Sequence, residues 1–116
     1  MIDCFARLNS LPLISVALVQ GHALGGGAEL CVACDFRVMA STARIGFIHL
    51  KAGITACGGG TTRLIRLLGR QKTLELFCSA KLVSAEEALL SGLVSRLLPH
   101  SLSTSEEFVE CKKWIL

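Results

Sequence analysis

The sequence predicts an α/β fold, a parallel sheet with flanking helices, from three observations. Short apolar runs of strand length recur along the chain, beginning with Leu13 to Val19. Segments with helix signatures alternate with these runs, and such alternation argues for parallel pairing. Glycines and capping boxes punctuate the helices, so several boundaries can be read locally.

Each element follows in order. Phe5, Leu8 and Leu11 keep the i, i+3 spacing of a helix face. Strand 13–19 comes next, and Gln20 to Leu24 turns the chain into a helix over 26–34. Strand 36–40 (Phe-Arg-Val-Met-Ala) and a short strand near 44–48 precede a loop from His49 to Gly59. Helix 60–68 stops at Gly69, a C-terminal cap, and helix 71–79 carries Leu74, Leu76, Phe77 and Cys78. Ser84-Ala85-Glu86-Glu87 forms a capping box that opens helix 85–91, which Gly92 ends. Strand 93–98 is stopped by Pro99, and a second box, Thr104-Ser105-Glu106-Glu107, starts a helix that runs out at Leu116. No linker, repeat or low-complexity tract divides the chain, and both ends read as unfinished. Residues 1–116 are therefore expected to form part of a larger domain.

Composition narrows the function classes. Hydrophobic residues make up 52% of the 116 positions, and the mean hydropathy is +0.59. That excess implies surface to be covered by another subunit or by further segments. No apolar run approaches ~18 residues, so a membrane span is not expected. The first residues have neither the basic start nor the apolar centre of a signal peptide, which leaves a cytoplasmic setting as the expectation. Six cysteines, mostly within apolar segments, read as reduced, buried thiols. The net charge of +3 is mild, yet no acid lies between Asp35 and Glu75. That stretch carries Arg37, Arg44, Lys51, Arg63, Arg66, Arg70 and Lys72, read as a solvated or intersubunit face, or as the neighbourhood of an anionic ligand. Nucleic acid is disfavoured, because no aromatic residue interleaves the basic ones as a stacking platform.

The chemistry concentrates at Gly25-Gly26-Gly27-Ala28-Glu29, between a buried strand and a helix start. Glycines there allow close backbone approach, and the first helical N–H groups lack partners within the helix. Backed by the helix dipole, those donors suit an oxygen that is, or becomes, negative. Glu29 sets a carboxylate within a turn of them. The run matches neither Gly-x-Gly-x-x-Gly nor Gly-x-x-x-x-Gly-Lys, and no Gly-x-Ser-x-Gly elbow exists. Cys31-x-x-Cys34 lacks a second cysteine pair and sits mid-helix, which reads as inert thiols rather than a metal site. Taken singly, Glu29 reads as a dipole-complementing acid and His49 as a core histidine. Gly58-Gly59-Gly60 alone reads as a flexible helix start.

Together these features are similar to one family. Val19 to Leu30, Ala33-Cys34-Asp35-Phe36-Arg37, Gly53-Ile54, Gly59 to Leu64, Gly69 and Ala88 to Val94 resemble the crotonase (enoyl-CoA hydratase/isomerase) family. The resemblance runs from about Leu11 to Pro99. It implies a spiral of stacked ββα turns, assembly as a homotrimer or dimer of trimers, and an acyl-CoA thioester substrate. Coenzyme A is then part of the substrate, with no separate cofactor. It further implies that two backbone N–H groups hold the thioester oxygen. One maps onto Gly26, the other onto an earlier family segment, and Leu24, Gly25 and Gly59 are assigned to substrate binding.

Hydratases of the family use two glutamates to hold and activate water. The first matches Glu29, whereas the second falls on His49. Decarboxylation of a malonyl-type thioester needs the same oxyanion hole but no strong base, and a second carboxylate would repel the substrate's own. Leu11 to Gly21, Ala33 to Arg37 and Phe47-Ile48-His49 resemble the decarboxylating branch of the family, with Ala56, Gly58 and His22 as departures from it. The expectation is decarboxylation of ethylmalonyl-CoA or methylmalonyl-CoA with Gly26, Glu29 and His49 as catalytic positions. The alternatives are a hydratase/isomerase and an inactive acyl-CoA-binding or oligomerisation module.

Overall fold

Two successive ββα turns organise the chain in a computed structural model that describes residues 2–116. Strands β1 (Val16–Val19) and β2 (His22–Leu24) lead into helix α2 (Gly26–Ala33), after a first helix, α1 (Ile2–Asn9). Strands β3 (Phe36–Met39) and β4 (Arg44–Gly46) lead, through a 3-10 turn at His49–Ala52, into α3 (Gly60–Leu68). The second turn stacks on the first through parallel ladders. Val16 to Val19 lie opposite Phe36 to Met39, and His22 to Leu24 opposite Arg44 to Gly46. Helices α4 (Arg70–Ser79), α5 (Ala85–Ser91) and α6 (Thr104–Ile115) follow, with β5 (Leu82–Ser84) and β6 (Arg96–Leu97) between them. The sheets are ordered β1-β3-β6 and β2-β4-β5.

The α/β class with flanking helices is as expected, but the pairing is not wholly parallel. β5 runs antiparallel to β4, with Val83 opposite Ile45. β2 also hides in what the sequence presents as a turn, because only Gln20 and Gly21 separate the end of β1 at Val19 from the start of β2 at His22. The run 13–19 yields a shorter strand: Leu13 and Ile14 precede the ladder and are 72% and 71% exposed. The run 93–98 contributes only Arg96–Leu97, while Leu93 and Val94 are buried without a ladder of their own.

Caps explain the helix ends. Ser84 accepts from the Glu87 N–H at the start of α5. The full box at α6 is one residue earlier than the sequence presents it. Ser103 accepts from Glu106 N–H, and Glu106 Oε2 accepts from Ser103 N–H at 2.7 Å. The C-terminal end of α2 is held by Arg37, only 5% exposed. Its Nη1 donates to Cys34 O at 2.7 Å and Cys31 O at 3.3 Å, and its Nε to Leu93 O at 2.7 Å. The last carbonyls of a helix lack internal partners, so a buried guanidinium there satisfies several at once. Arg37 is thus part of the core rather than of a basic face.

The core lies where α2 and α3 cover the strands, around Met39, Ile45, Phe47, Leu64 and Leu93, all fully buried. Ala28, Ala85 and Ala88 let the helices approach closely. The cysteine reading is corrected in part: Cys31 and Cys111 are buried, but Cys4, Cys57 and Cys78 are exposed, on helices or a loop that face outward. Among the described residues no helix is long and apolar enough to cross a membrane.

Candidate active site

Two helix starts converge on one buried carboxylate. α2 opens without a side-chain cap, from Gly25 at φ 53°, a left-handed backbone that glycine adopts freely. The Gly25 N–H donates to Gly46 O at 2.9 Å, which ties the glycine loop to β4. Gly26 is the first helical residue, so its N–H belongs to the set without intrahelical partners. Glu29, one turn further along α2, has no exposed surface.

Burying a carboxylate is costly unless it is fully partnered. Glu29 Oε1 accepts from Gly58 N–H at 2.8 Å and from Gly60 N–H at 3.1 Å. Gly60 opens α3, so the positive end of that helix dipole also faces the carboxylate. Glu29 Oε2 meets His49 Nε2 at 3.1 Å. His49 begins the 3-10 turn, is 3% exposed, and lies 5.5 Å from the Phe77 ring, centroid to centroid. Its Nδ1 is buried with no hydrogen-bond partner among the described residues.

The second glycine run is what admits Glu29. A Cβ at Gly60 would stand 2.7 Å from Glu29 Cγ. One at Gly58 would stand 2.5 Å from the Phe5 ring and 3.1 Å from Glu29 Oε1. Gly59 takes φ 79° between them, and Arg63 Nη1 folds back to donate to Gly58 O. Beside His49 lies a cavity of about 250 Å³, walled by Leu50, Ile54, Ile65, Leu74 and Phe77.

Of the residues singled out in the sequence, Glu29 and His49 are in direct contact. Gly26 starts the helix that carries Glu29, and Leu24 and Gly25 lead into it. Gly59 sits within the glycine clamp but makes no bond to the carboxylate. Gly58 and Gly60 are the residues that sequence reasoning missed, and their signal was the spacing of glycines on either side of Gly59. The basic stretch is dispersed: Arg37, Arg44 and Arg63 each donate to backbone carbonyls. Burial, reinforced by Cys34, pushes the Cys31 thiol up to about 11, which keeps it protonated and inert. No group of three His, Cys, Asp or Glu able to hold a metal ion occurs among the described residues.

Residues 1–115 match the protein family described as Enoyl-CoA hydratase/isomerase. Ethylmalonyl-CoA decarboxylase of Xenopus tropicalis is 47% identical over 117 residues, spanning 100% of this chain and 38% of that protein. The protein of the same name from Homo sapiens is 43% identical over 115 residues, spanning 99% and 37%. Among solved structures, an enoyl-CoA hydratase from Bacillus anthracis superposes with a TM-score of 0.86 at 37% identity, over 97% of this chain and 43% of that one. A Thermobifida fusca protein solved in complex with acetoacetyl-CoA has a TM-score of 0.85 at 28% identity, over 96% and 42%. The chain thus spans well under half the length of the relatives it matches.

Proposed function

Because the chain belongs to the enoyl-CoA hydratase/isomerase family, we propose that it carries the catalytic core of an acyl-CoA decarboxylase acting on ethylmalonyl-CoA or methylmalonyl-CoA. The observation that carries this reading is the buried contact between Glu29 and His49. Hydration by two carboxylates needs both free to hold water. Here one carboxylate is engaged on both oxygens, and an imidazole occupies the other position. A malonyl-type substrate brings its own negative carboxylate, which a second glutamate would repel and an imidazole would not. The resemblance to proteins named ethylmalonyl-CoA decarboxylase supports the same substrate class.

The reaction follows from where charge develops. The thioester oxygen accepts the Gly26 N–H, and the bond from the α-carbon to the free carboxylate breaks. Carbon dioxide leaves, and the electron pair passes into the enolate, whose charge rests on the thioester oxygen. Losing one preorganised donor from such a hole costs about 3 kcal/mol of transition-state stabilisation. The α-carbon then takes a proton from His49, and the imidazole regains one from water. The adjoining cavity is apolar enough for a short acyl branch. Assembly as a homotrimer or dimer of trimers, in a cytosolic setting, belongs to the same proposal. Exposed Leu13, Ile14 and Leu90 supply apolar surface for such assembly.

The test is the His49→Ala variant assayed for release of CO₂ from ethylmalonyl-CoA, with thioester binding followed by calorimetry. Turnover is expected to vanish while binding survives. Unchanged CO₂ release would make His49 a core residue only.

A further inference from the structure

The geometry points to a division of labour within the pair that the two-carboxylate pattern does not contain. We infer that Glu29 is a positioning residue: it holds His49 with Nε2–H toward its own carboxylate and leaves Nδ1 as the atom that meets the substrate. This rests on the proposed reading that His49 faces the thioester.

Three observations carry it. First, Glu29 has no capacity left for a substrate. Oε1 holds the N–H groups of Gly58 and Gly60, Oε2 holds the imidazole, and the side chain has no exposed surface. Turning toward a substrate would strand two buried N–H groups, at about 1–3 kcal/mol each. Second, Oε1 faces two donors and can carry no proton, so any proton between the partners lies between Oε2 and Nε2. A carboxylate oxygen only accepts, so the 3.1 Å hydrogen bond is donated by Nε2–H. Third, Nδ1 is the ring nitrogen without a partner among the described residues, although His49 is only 3% exposed. Buried polar atoms are paired in the great majority of cases, and His49 is one of the residues lining the adjoining cavity, so Nδ1 is the ring nitrogen with capacity left for a ligand there. Phe77 packs against the ring and limits its rotation.

The consequence for the reaction is a fixed route for the proton. With Nε2–H engaged by Glu29, a second proton on Nδ1 makes the imidazolium that the carboxylate stabilises. Nδ1–H is then the bond that breaks when the enolate carbon is protonated. The ring returns to its neutral form with Nδ1 bare, and water reloads it.

Glu29→Gln tests this with a readout that a merely structural glutamate would not move. The glutamine carbonyl must take the place of Oε1, because Gly58 and Gly60 both donate there. Its NH₂ then faces Nε2, which becomes an acceptor, and the ring proton is driven to Nδ1. In ¹⁵N-histidine spectra recorded where the ring holds one proton, the wild-type chain is expected to show His49 protonated at Nε2. The variant is expected to show it protonated at Nδ1. Loss of signal in His49→Gln distinguishes it from His22 and His100. In the CO₂ assay, kcat is expected to fall about 10²–10⁴-fold while KM holds. A wild-type ring protonated at Nδ1, or an unchanged tautomer in the variant, would overturn the inference. Should Glu29→Gln not fold, the wild-type spectrum alone decides. Absence of CO₂ release with the tautomer as stated counts against the proposed reaction and leaves the pairing standing.

Discussion

Glu29 is stable in the core only because backbone comes to it, and that dependence makes single atoms at Gly60 matter. Gly60 has an ordinary helical start, so alanine is barred there by space rather than by backbone conformation. The added methyl would meet Glu29 Cγ at 2.7 Å, inside contact distance. Gly60→Ala is expected to lower the unfolding free energy by about 1–3 kcal/mol, read from the urea midpoint. Asp35 supplies a pH signature of a different kind. Ser15 donates to its carboxylate from N–H at 2.8 Å and from its hydroxyl at 3.0 Å, and these bonds hold the carboxyl below its ordinary value of 3.8. A folded-state pKa below the unfolded one adds stability above the unfolded value, and that stability fades as pH falls through the folded one. The gap in thermal midpoint between the wild-type chain and Asp35→Asn is therefore expected near neutral pH and to close below pH 3.8. Glu29 and His49 stand out in the sequence through the family resemblance, whereas taken singly they read as a dipole-complementing acid and a core histidine. Gly58 and Gly60 were not legible as carboxylate donors, because their bonds span 29 and 31 residues and exist only once α3 has docked on α2.

Helices were read more closely than strands, for a reason visible in particular elements. The spans 60–68 and 85–91 coincide with α3 and α5, since Gly69 and Gly92 end them through their own backbone freedom. Strand ends are set by a partner instead. Leu13 and Ile14 continue an apolar run but have no strand partner among the described residues, and β5 pairs with a strand almost forty positions earlier. The α6 cap shows the limit of local reading even for helices. Ser103 and Thr104 both precede a glutamate three residues on, and only the geometry chooses Ser103. Ser103→Ala is expected to cost about 1 kcal/mol and Thr104→Ala much less, measured by denaturant unfolding. Equal effects would place the cap elsewhere. Arg37 teaches the complementary lesson: a residue counted in a basic stretch turns out to close a helix from within the core.

At the scale of the molecule, the two ββα turns bring two helix starts to one place. Gly26 lies at the head of α2 and Gly60 at the head of α3, with Glu29 between them and His49 reaching in from the end of the second strand pair. Within the described residues, β1 pairs only with β3 and β2 only with β4, so both sheets keep an open edge on the first turn. Open edges accept further strands. The resemblance assigns the second oxyanion donor to a segment preceding this turn in the family. The proposed reaction removes CO₂ from a malonyl-type thioester rather than adding water to an enoyl one. Side-by-side assays with ethylmalonyl-CoA and crotonyl-CoA separate the two reactions. CO₂ release from ethylmalonyl-CoA without hydration of crotonyl-CoA is the expected outcome. Hydration of crotonyl-CoA with no CO₂ from ethylmalonyl-CoA would overturn the decarboxylase assignment.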